Sequence, residues 1–327
     1  MKMREIGKSG IVASAMGIGT WAAGGDDFWG KQDDSIPIQA IRAAIDGGIT
    51  LVDTAPAYGF GHSEEVVGKA LEGIRDKVVL STKCGLWWED DEGGIHTQRD
   101  GRTVYRNLSP RAMRIELENS LRRLKTDYID IYITHWQCIE PFMVPIEETM
   151  NQLLEFKKEG KIRAIGVSNV EPWHVKEYLK YGQVDLIQEK YSMLSRRVEK
   201  ELLPICEKEK ITMQAYSPLE QGLLTGRFRM DYQVGDLEYR KKIEWYQPEK
   251  RAKVVAMLDG WQDLCDKYDC KLSNLVIAWT MAQSEQMNVL CGARKIHHVE
   301  ENLKSAALQL DAADVARMRA DAEKATR

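Results

Sequence analysis

Ile49-Thr50-Leu51-Val52-Asp53-Thr54-Ala55-Pro56-Ala57-Tyr58-Gly59 joins an apolar run to an acid and a tyrosine. Its first four residues form a short apolar run of the kind buried as a strand in parallel sheets. Ser63-Glu64-Glu65 then opens a helical segment, so Asp53 and Tyr58 fall on a strand-to-helix loop. Parallel α/β proteins place chemistry on such loops, because the carboxyl ends of their strands form the binding crevice. Two later runs repeat the arrangement. Val78-Val79-Leu80-Ser81-Thr82 delivers Lys83, and Ile129-Asp130-Ile131-Tyr132-Ile133-Thr134 delivers His135.

Outward from this core, the same pattern predicts five more strands. They are Met16 to Gly19, Ile162 to Val167, Val184 to Gln188, Ile211 to Tyr216 and Met287 to Cys291. Amphipathic helical segments separate the eight. Ile38, Ile41 and Ile45 recur at helical spacing until Gly47-Gly48. Ser109-Pro110 supplies an N-cap and a first-turn proline ahead of a stripe of Met113, Leu117, Leu121 and Leu124. Strands alternating with helices predict a parallel sheet. With 327 residues, they predict an α/β fold, a single (β/α)8 TIM barrel domain spanning 1–327. No composition shift marks a second domain, and no GxGxxG follows a strand, which disfavours a doubly wound nucleotide fold. Glu5 to Ser14, with Lys8-Ser9-Gly10 as its turn, predicts an N-terminal hairpin that seals the barrel floor. Long loops are expected at the catalytic face: a Gly/Asp-rich one from Gly24 to Asp34, and two of the length that usually carries function, Gly85 to Leu108 and Leu219 to Glu249.

Composition excludes several function classes. Net charge is -4 with no dense basic stripe, which predicts no nucleic-acid partner. The N-terminus is polar, and the apolar stretch Ile11 to Ala23 is broken by glycines and shorter than the roughly 20 residues that span a bilayer. No membrane partner is expected. The six cysteines have no metal-like spacing, so reduced thiols and a cytoplasmic location are expected. His62, His96, His174, His297 and His298 form no metal-ligand set, so no metal site is predicted.

Each candidate group alone fits an ordinary structural role: Asp53 a helix cap, Tyr58 a loop aromatic, His135 a satisfied core histidine. Lys83 is harder to place that way, because an unpaired buried ammonium is costly. Together, at successive strand ends, they suit carbonyl reduction. That reaction needs a hydride to carbon and a proton to oxygen. A free tyrosine, with a pKa of about 10, is a poor acid near neutrality. An adjacent ammonium lowers that pKa by stabilising phenolate. The expected roles are Tyr58 as proton donor, Lys83 and Asp53 as its tuning pair, and His135 as the group that orients the carbonyl.

DTAPAYG, SEEVVGKAL, STKCG, THW and GVSN occur in that order, and together they resemble the aldo-keto reductase family along nearly the whole chain. THWQ, YSPLEQGLLTG and WQDLC resemble its bacterial branch of inositol-dehydrogenase-like and methylglyoxal-reductase-like enzymes. The resemblance implies that Asp53, Tyr58, Lys83 and His135 form the catalytic tetrad. It implies that Ser168, Asn169 and Gln188 hold a nicotinamide carboxamide and that Tyr216 stacks on the ring. Ser217, Leu219, Gln221 and Gly222 would approach the pyrophosphate, and Gly19, Thr20, Trp21 and Gly292 would border the cofactor. Arg294 would meet a 2'-phosphate, and Glu301 and Asn302 the adenine. His298 stands where many NADPH-linked relatives carry arginine or glutamine. NADP(H) is the favoured cofactor, with NAD(H) possible. A small aldehyde, ketone or sugar-type alcohol is expected against Trp21, Tyr58, Trp87, Trp88, His135, Trp136 and Phe142. Two other readings stand beside this one: a Schiff-base aldolase using Lys83, and a dinucleotide-sensing regulatory subunit.

Overall fold

The structure, a computed structural model, describes residues 1–25, 29–30, 33–235 and 239–327; parts of the predicted loops at 24–34 and 219–249 lie outside the described residues. The barrel strands are Met16–Gly19, Leu51–Asp53, Val79–Cys84, Ile129–Thr134, Ile162–Ser168, Leu186–Lys190, Thr212–Tyr216 and Met287–Gly292. Each runs parallel to the next, and the eighth closes onto the first, with Val289 opposite Met16 and Gly292 opposite Gly19. The apolar runs became strands because barrel strands are covered on both faces. Boundaries fall slightly later than the apolar runs at the second and third strands. Asp53 and Lys83 are therefore held in the sheet itself, while His135 directly follows its strand.

The N-terminal hairpin, Met3–Glu5 against Val12–Ser14, closes the floor. Its Ile6, Ile11 and Ala13 pack with the inward residues Leu51, Val79, Ile131, Ile133, Ala164 and Leu186. Gly7 lets the turn sit tightly against the barrel. It adopts φ +58°, and a Cβ there would stand 2.4 Å from the Asp185 carbonyl. Helices cover the outside. Pro110–Leu124 starts where Ser109 Oγ accepts from Ala112 N at 3.3 Å, and it buries Met113, Leu117, Leu121 and Leu124.

The segment 85–108, expected as a long functional loop, has regular structure of its own. It folds as a three-stranded antiparallel sheet of Leu86–Trp87, Gly94–Arg99 and Arg102–Arg106, the last at the centre. Asp100 and Gly101 both have positive φ, at 50° and 72°, the conformation a two-residue hairpin turn requires. Within 219–249, Glu244–Tyr246 forms a short 3-10 turn, and the turns over Glu220–Thr225 are kinked at Gln221 and Gly222.

Candidate active site

Asp53 ends the second strand, and Tyr58 follows on a loop pressed against the loop after the first strand. Glycine makes that approach possible. Gly59 has φ +64°, and a Cβ there would lie 2.1 Å from the Gly24 carbonyl. Behind the loop a buried hydroxyl cluster fixes its base. Ser63 Oγ lies 2.9 Å from Thr20 Oγ1 and 3.0 Å from Thr54 Oγ1, and Thr20 Oγ1 donates to the Asp53 carbonyl at 2.9 Å.

Lys83 is 0% exposed, and its ammonium uses all three donors. It reaches Asp53 Oδ1 at 2.7 Å, the Thr54 carbonyl at 2.8 Å and the Tyr58 hydroxyl at 3.3 Å. The other carboxylate oxygen of Asp53 accepts from Ser81 Oγ at 2.8 Å and Gln188 Nε2 at 3.0 Å. Burial alone would discharge the lysine, but Asp53 and Tyr58 outweigh it, and its pKa lies above the ordinary value. A charged, fully engaged amine cannot act as an imine-forming nucleophile.

The sequence predicts a lowered Tyr58 pKa. In the fold, desolvation outweighs the pull of Lys83 and Arg99, and the phenol lies above its usual value. Tyr58 therefore stays a protonated donor throughout the neutral range. His135 is driven the other way. Burial, then the charges of Lys83, His96 and Arg99, hold its pKa well below the usual value. It is a neutral imidazole at pH 7, and its ring meets Tyr58 edge-on with centroids 5.9 Å apart. Two neutral hydrogen-bonding side chains thus stand side by side.

The residues expected around a cofactor form one connected network. Tyr216 donates its hydroxyl to Asn169 Oδ1 at 2.8 Å, and Asn169 Nδ2 donates to the His135 carbonyl at 2.8 Å. Ser168 Oγ donates to the Gln188 carbonyl at 2.7 Å, and Gln188 reaches Asp53. The turn after the seventh strand has positive φ at Ser217, Glu220, Gln221 and Gly222, and the Leu219 carbonyl accepts from Gly222 N and Leu224 N. Successive left-handed residues turn backbone amides into an anion-binding concavity. Gln221 Oε1 is buried there with no hydrogen-bond partner among the described residues. These features fit a pyrophosphate-bearing cofactor.

After the eighth strand, the Arg294 guanidinium lies 5.7 Å from the centre of the Trp29 ring. Arg294 N donates to His298 Nδ1 at 3.4 Å. Burial and the neighbouring His297, Arg227, Lys295 and Arg294 lower the His298 pKa, so it is neutral at pH 7. Glu301 pairs with Lys271 at 2.9 Å, and Asn302 Nδ2 donates to the Gly292 carbonyl at 3.5 Å.

On the substrate side the expected aromatics divide. Trp21 lies 6.4 Å from Tyr58, ring to ring. Trp136 carries Arg106 over its face at 4.5 Å and His96 beside it. Trp88 meets Phe60 edge-on, and Phe142 is part of the turn bridged to Ile139. Trp87 is 1% exposed, with its indole donating to Asp90 and Arg111 over its ring; it is buried within the antiparallel sheet, opposite Tyr105, rather than lining an open pocket wall. Sequence reasoning missed Arg99. It donates to the Ala57 carbonyl, next to Tyr58, and its charge reaches both Tyr58 and His135. The signal was the Asp100-Gly101 hairpin, which folds Arg99 back over the barrel mouth. Arg240 was missed too; with Tyr246 it donates to the Gln221 carbonyl, both at 3.1 Å.

Residues 15–323 match the model of the Aldo/keto reductase family. The chain is 48% identical over 325 residues to the NADH-specific methylglyoxal reductase of Escherichia coli, covering 99% of each. It is 39% identical to an aldo-keto reductase of Bacillus subtilis, covering 92% of this chain and 87% of that protein. Among solved structures it matches the glycerol dehydrogenase of Gluconobacter oxydans with a TM-score of 0.87 and 33% identity, covering 98% of this chain and 94% of the other. An aldo-keto reductase from Klebsiella pneumoniae in complex with NADPH matches with a TM-score of 0.73 and 26% identity, covering 97% and 94%. The chain belongs to the aldo-keto reductase family, as a nicotinamide-dependent oxidoreductase that interconverts carbonyls and alcohols.

Proposed function

We propose that this protein reduces small, oxygen-rich carbonyl compounds, 2-oxoaldehydes among them, in the cytoplasm, and that it accepts both NADH and NADPH. The observation that carries the mechanism is the ammonium of Lys83, hydrogen-bonded at once to Asp53 and Tyr58. The bound nicotinamide supplies a hydride to the carbonyl carbon. His135 orients the carbonyl oxygen as a neutral hydrogen-bond donor. Tyr58 gives that oxygen its proton, and Lys83 stabilises the phenolate left behind. Asp53 keeps Lys83 charged and in place.

A substrate rich in oxygen suits the cationic and imidazole groups that Arg99, His96 and Arg106 bring from the antiparallel sheet. The methylglyoxal reductase relative favours the same class and favours NADH. Arg294 and Lys295 favour NADPH, while neutral His298 adds no charge to them. The six cysteines are all free thiols, and among the described residues no helix is long and apolar enough to cross a membrane; both fit the cytoplasmic reading. The test follows oxidation of NADH and NADPH in parallel across methylglyoxal, glyceraldehyde and unsubstituted alkanals. Turnover is expected to be fastest with the 2-oxoaldehyde. Equal rates for alkanals of the same length would sink the substrate assignment.

A further inference from the structure

Three amides line the inside of the barrel in a row. Gln188, Gln214 and Asn288 are 3%, 0% and 1% exposed. Strand register sets Gln188 opposite Gln214, and Gln214 opposite Asn288. Gln188 and Gln214 each stand third of five in their strands, and Asn288 is second in its strand, next to the hairpin. Asn288 Nδ2 donates to the Ser14 carbonyl at 2.8 Å. Gln214 Nε2 donates to Asn288 Oδ1 at 3.1 Å, and Gln188 Nε2 donates to Gln214 Oε1 at 2.6 Å and to Asp53 Oδ2 at 3.0 Å.

Only one polarity satisfies this row. A backbone carbonyl can only accept, so Asn288 must turn its amino group to Ser14. That leaves Oδ1 for Gln214, whose Oε1 is then left for Gln188. A carboxylate also only accepts, so Gln188 must spend its second amide proton on Asp53. Both protons point inward, and Oε1 is the one amide atom the row does not use. A reversed amide anywhere would set oxygen against oxygen in a buried site, at the full cost of an unmet hydrogen bond.

We propose that Gln214 and Asn288 are positioning residues. Together with Asp53 they fix the orientation of Gln188: Gln214 holds its other amide proton inward, and Oε1 is left as an acceptor for the cofactor's carboxamide. This rests on the reading that Gln188 holds the carboxamide. The probes are NAD+ and its 3-acetylpyridine analogue, in which a methyl ketone replaces the amide and no N–H remains. Their affinities are read by quenching of protein fluorescence, without turnover. Wild type is expected to prefer NAD+ by about tenfold, the worth of one hydrogen bond. Gln214→Met should erase that preference by weakening NAD+ alone, and Gln214→Glu should restore it at low pH, where a protonated carboxyl again accepts and donates.

An unchanged preference in folded Gln214→Met, alongside its loss in Gln188→Met, overturns the positioning role alone. Persistence of the preference in Gln188→Met overturns the carboxamide reading beneath it. If Gln214→Met does not fold, Asn288→Leu repeats the test at the far end of the row. Exchange of the Gln188 side-chain amide protons in the wild-type protein decides independently of any variant. Both should be protected before cofactor is added; rapid exchange that slows only with NAD+ overturns the proposal.

Discussion

Two opposed forces act on the phenol of Tyr58, the proposed proton donor. Burial raises the Tyr58 pKa, and Lys83 pulls it down. Tyr58→Phe deletes only the hydroxyl, so turnover should fall about 10² to 10⁴-fold, the usual worth of a general acid. Cofactor affinity, measured by fluorescence titration, should stay within about twofold. Near-normal turnover at saturating cofactor would remove Tyr58 from the mechanism. Lys83→Met tests the second force. With the neighbouring charge gone, the phenol holds its proton more tightly, so the alkaline limb of kcat/KM for reduction should move to higher pH. A slower enzyme with an unmoved limb would reduce Lys83 to packing. All four groups were legible in the sequence, because Asp53, Lys83 and His135 each follow an apolar run and Tyr58 lies on the loop after the first of them. Their charge states were not. Desolvation depends on what packs around Tyr58 and His135 from distant elements, and the sequence alone suggested a lowered tyrosine pKa where the fold raises it.

At the level of elements, the barrel strands were legible because buried parallel strands read as near-continuous apolar runs. The antiparallel sheet at 86–106 was not, since its residues are polar and aromatic without clean alternation, and Ile95 is 63% exposed. The sheet carries Arg99, His96 and Arg106; Gly85, which links it to the third strand, is held by Glu116. Glu116 lies on the helix Pro110–Leu124 and is 5% exposed. Its Oε2 accepts from Gly85 N at 2.7 Å, two residues past Lys83, while Oε1 has no hydrogen-bond partner among the described residues. Burial pushes this carboxyl well above its ordinary value, and nearby Glu64 adds to the rise. The folded state therefore keeps a proton that the unfolded chain loses above about pH 4.5. Stability from this group is complete below that pH and declines as pH rises toward the folded pKa, by about 1.4 kcal/mol per pH unit. Glu116→Gln carries no proton to lose. Its melting temperature relative to wild type should thus climb between about pH 5 and about pH 8. Melting curves that stay parallel across that range would mean the carboxylate is tolerated ionised.

Across the whole molecule, the proposed seat of cofactor choice lies far from the chemistry, where the chain after the eighth strand meets the loop after the seventh. Arg227 joins Arg294 and Lys295 there, its charge felt at His298. The basic run at 294–298 was readable in the sequence; that one of its members is neutral was not. His298 accepts from the Arg294 backbone through Nδ1, which leaves it one N–H and no charge, so it can add a hydrogen bond to a phosphate but no ion pair. A 2'-phosphate would therefore rest on Arg294 and Lys295. Charge-assisted hydrogen bonds contribute about 1.5 to 3 kcal/mol, and solvent at this rim draws that toward the lower end. Arg294→Ala should weaken NADPH about tenfold and leave NADH nearly unchanged, since 1.4 kcal/mol is about a factor of ten. Because His298 is already neutral, NADPH affinity should not fall between about pH 6.5 and about pH 8. Fluorescence titration of both cofactors at those two pH values checks each claim. A steep loss of NADPH binding across that interval would make His298 a charged ligand after all. A wild-type preference for NADH of about tenfold or more, untouched by Arg294→Ala, would make the cluster a solvated surface and align this chain with its NADH-specific relative.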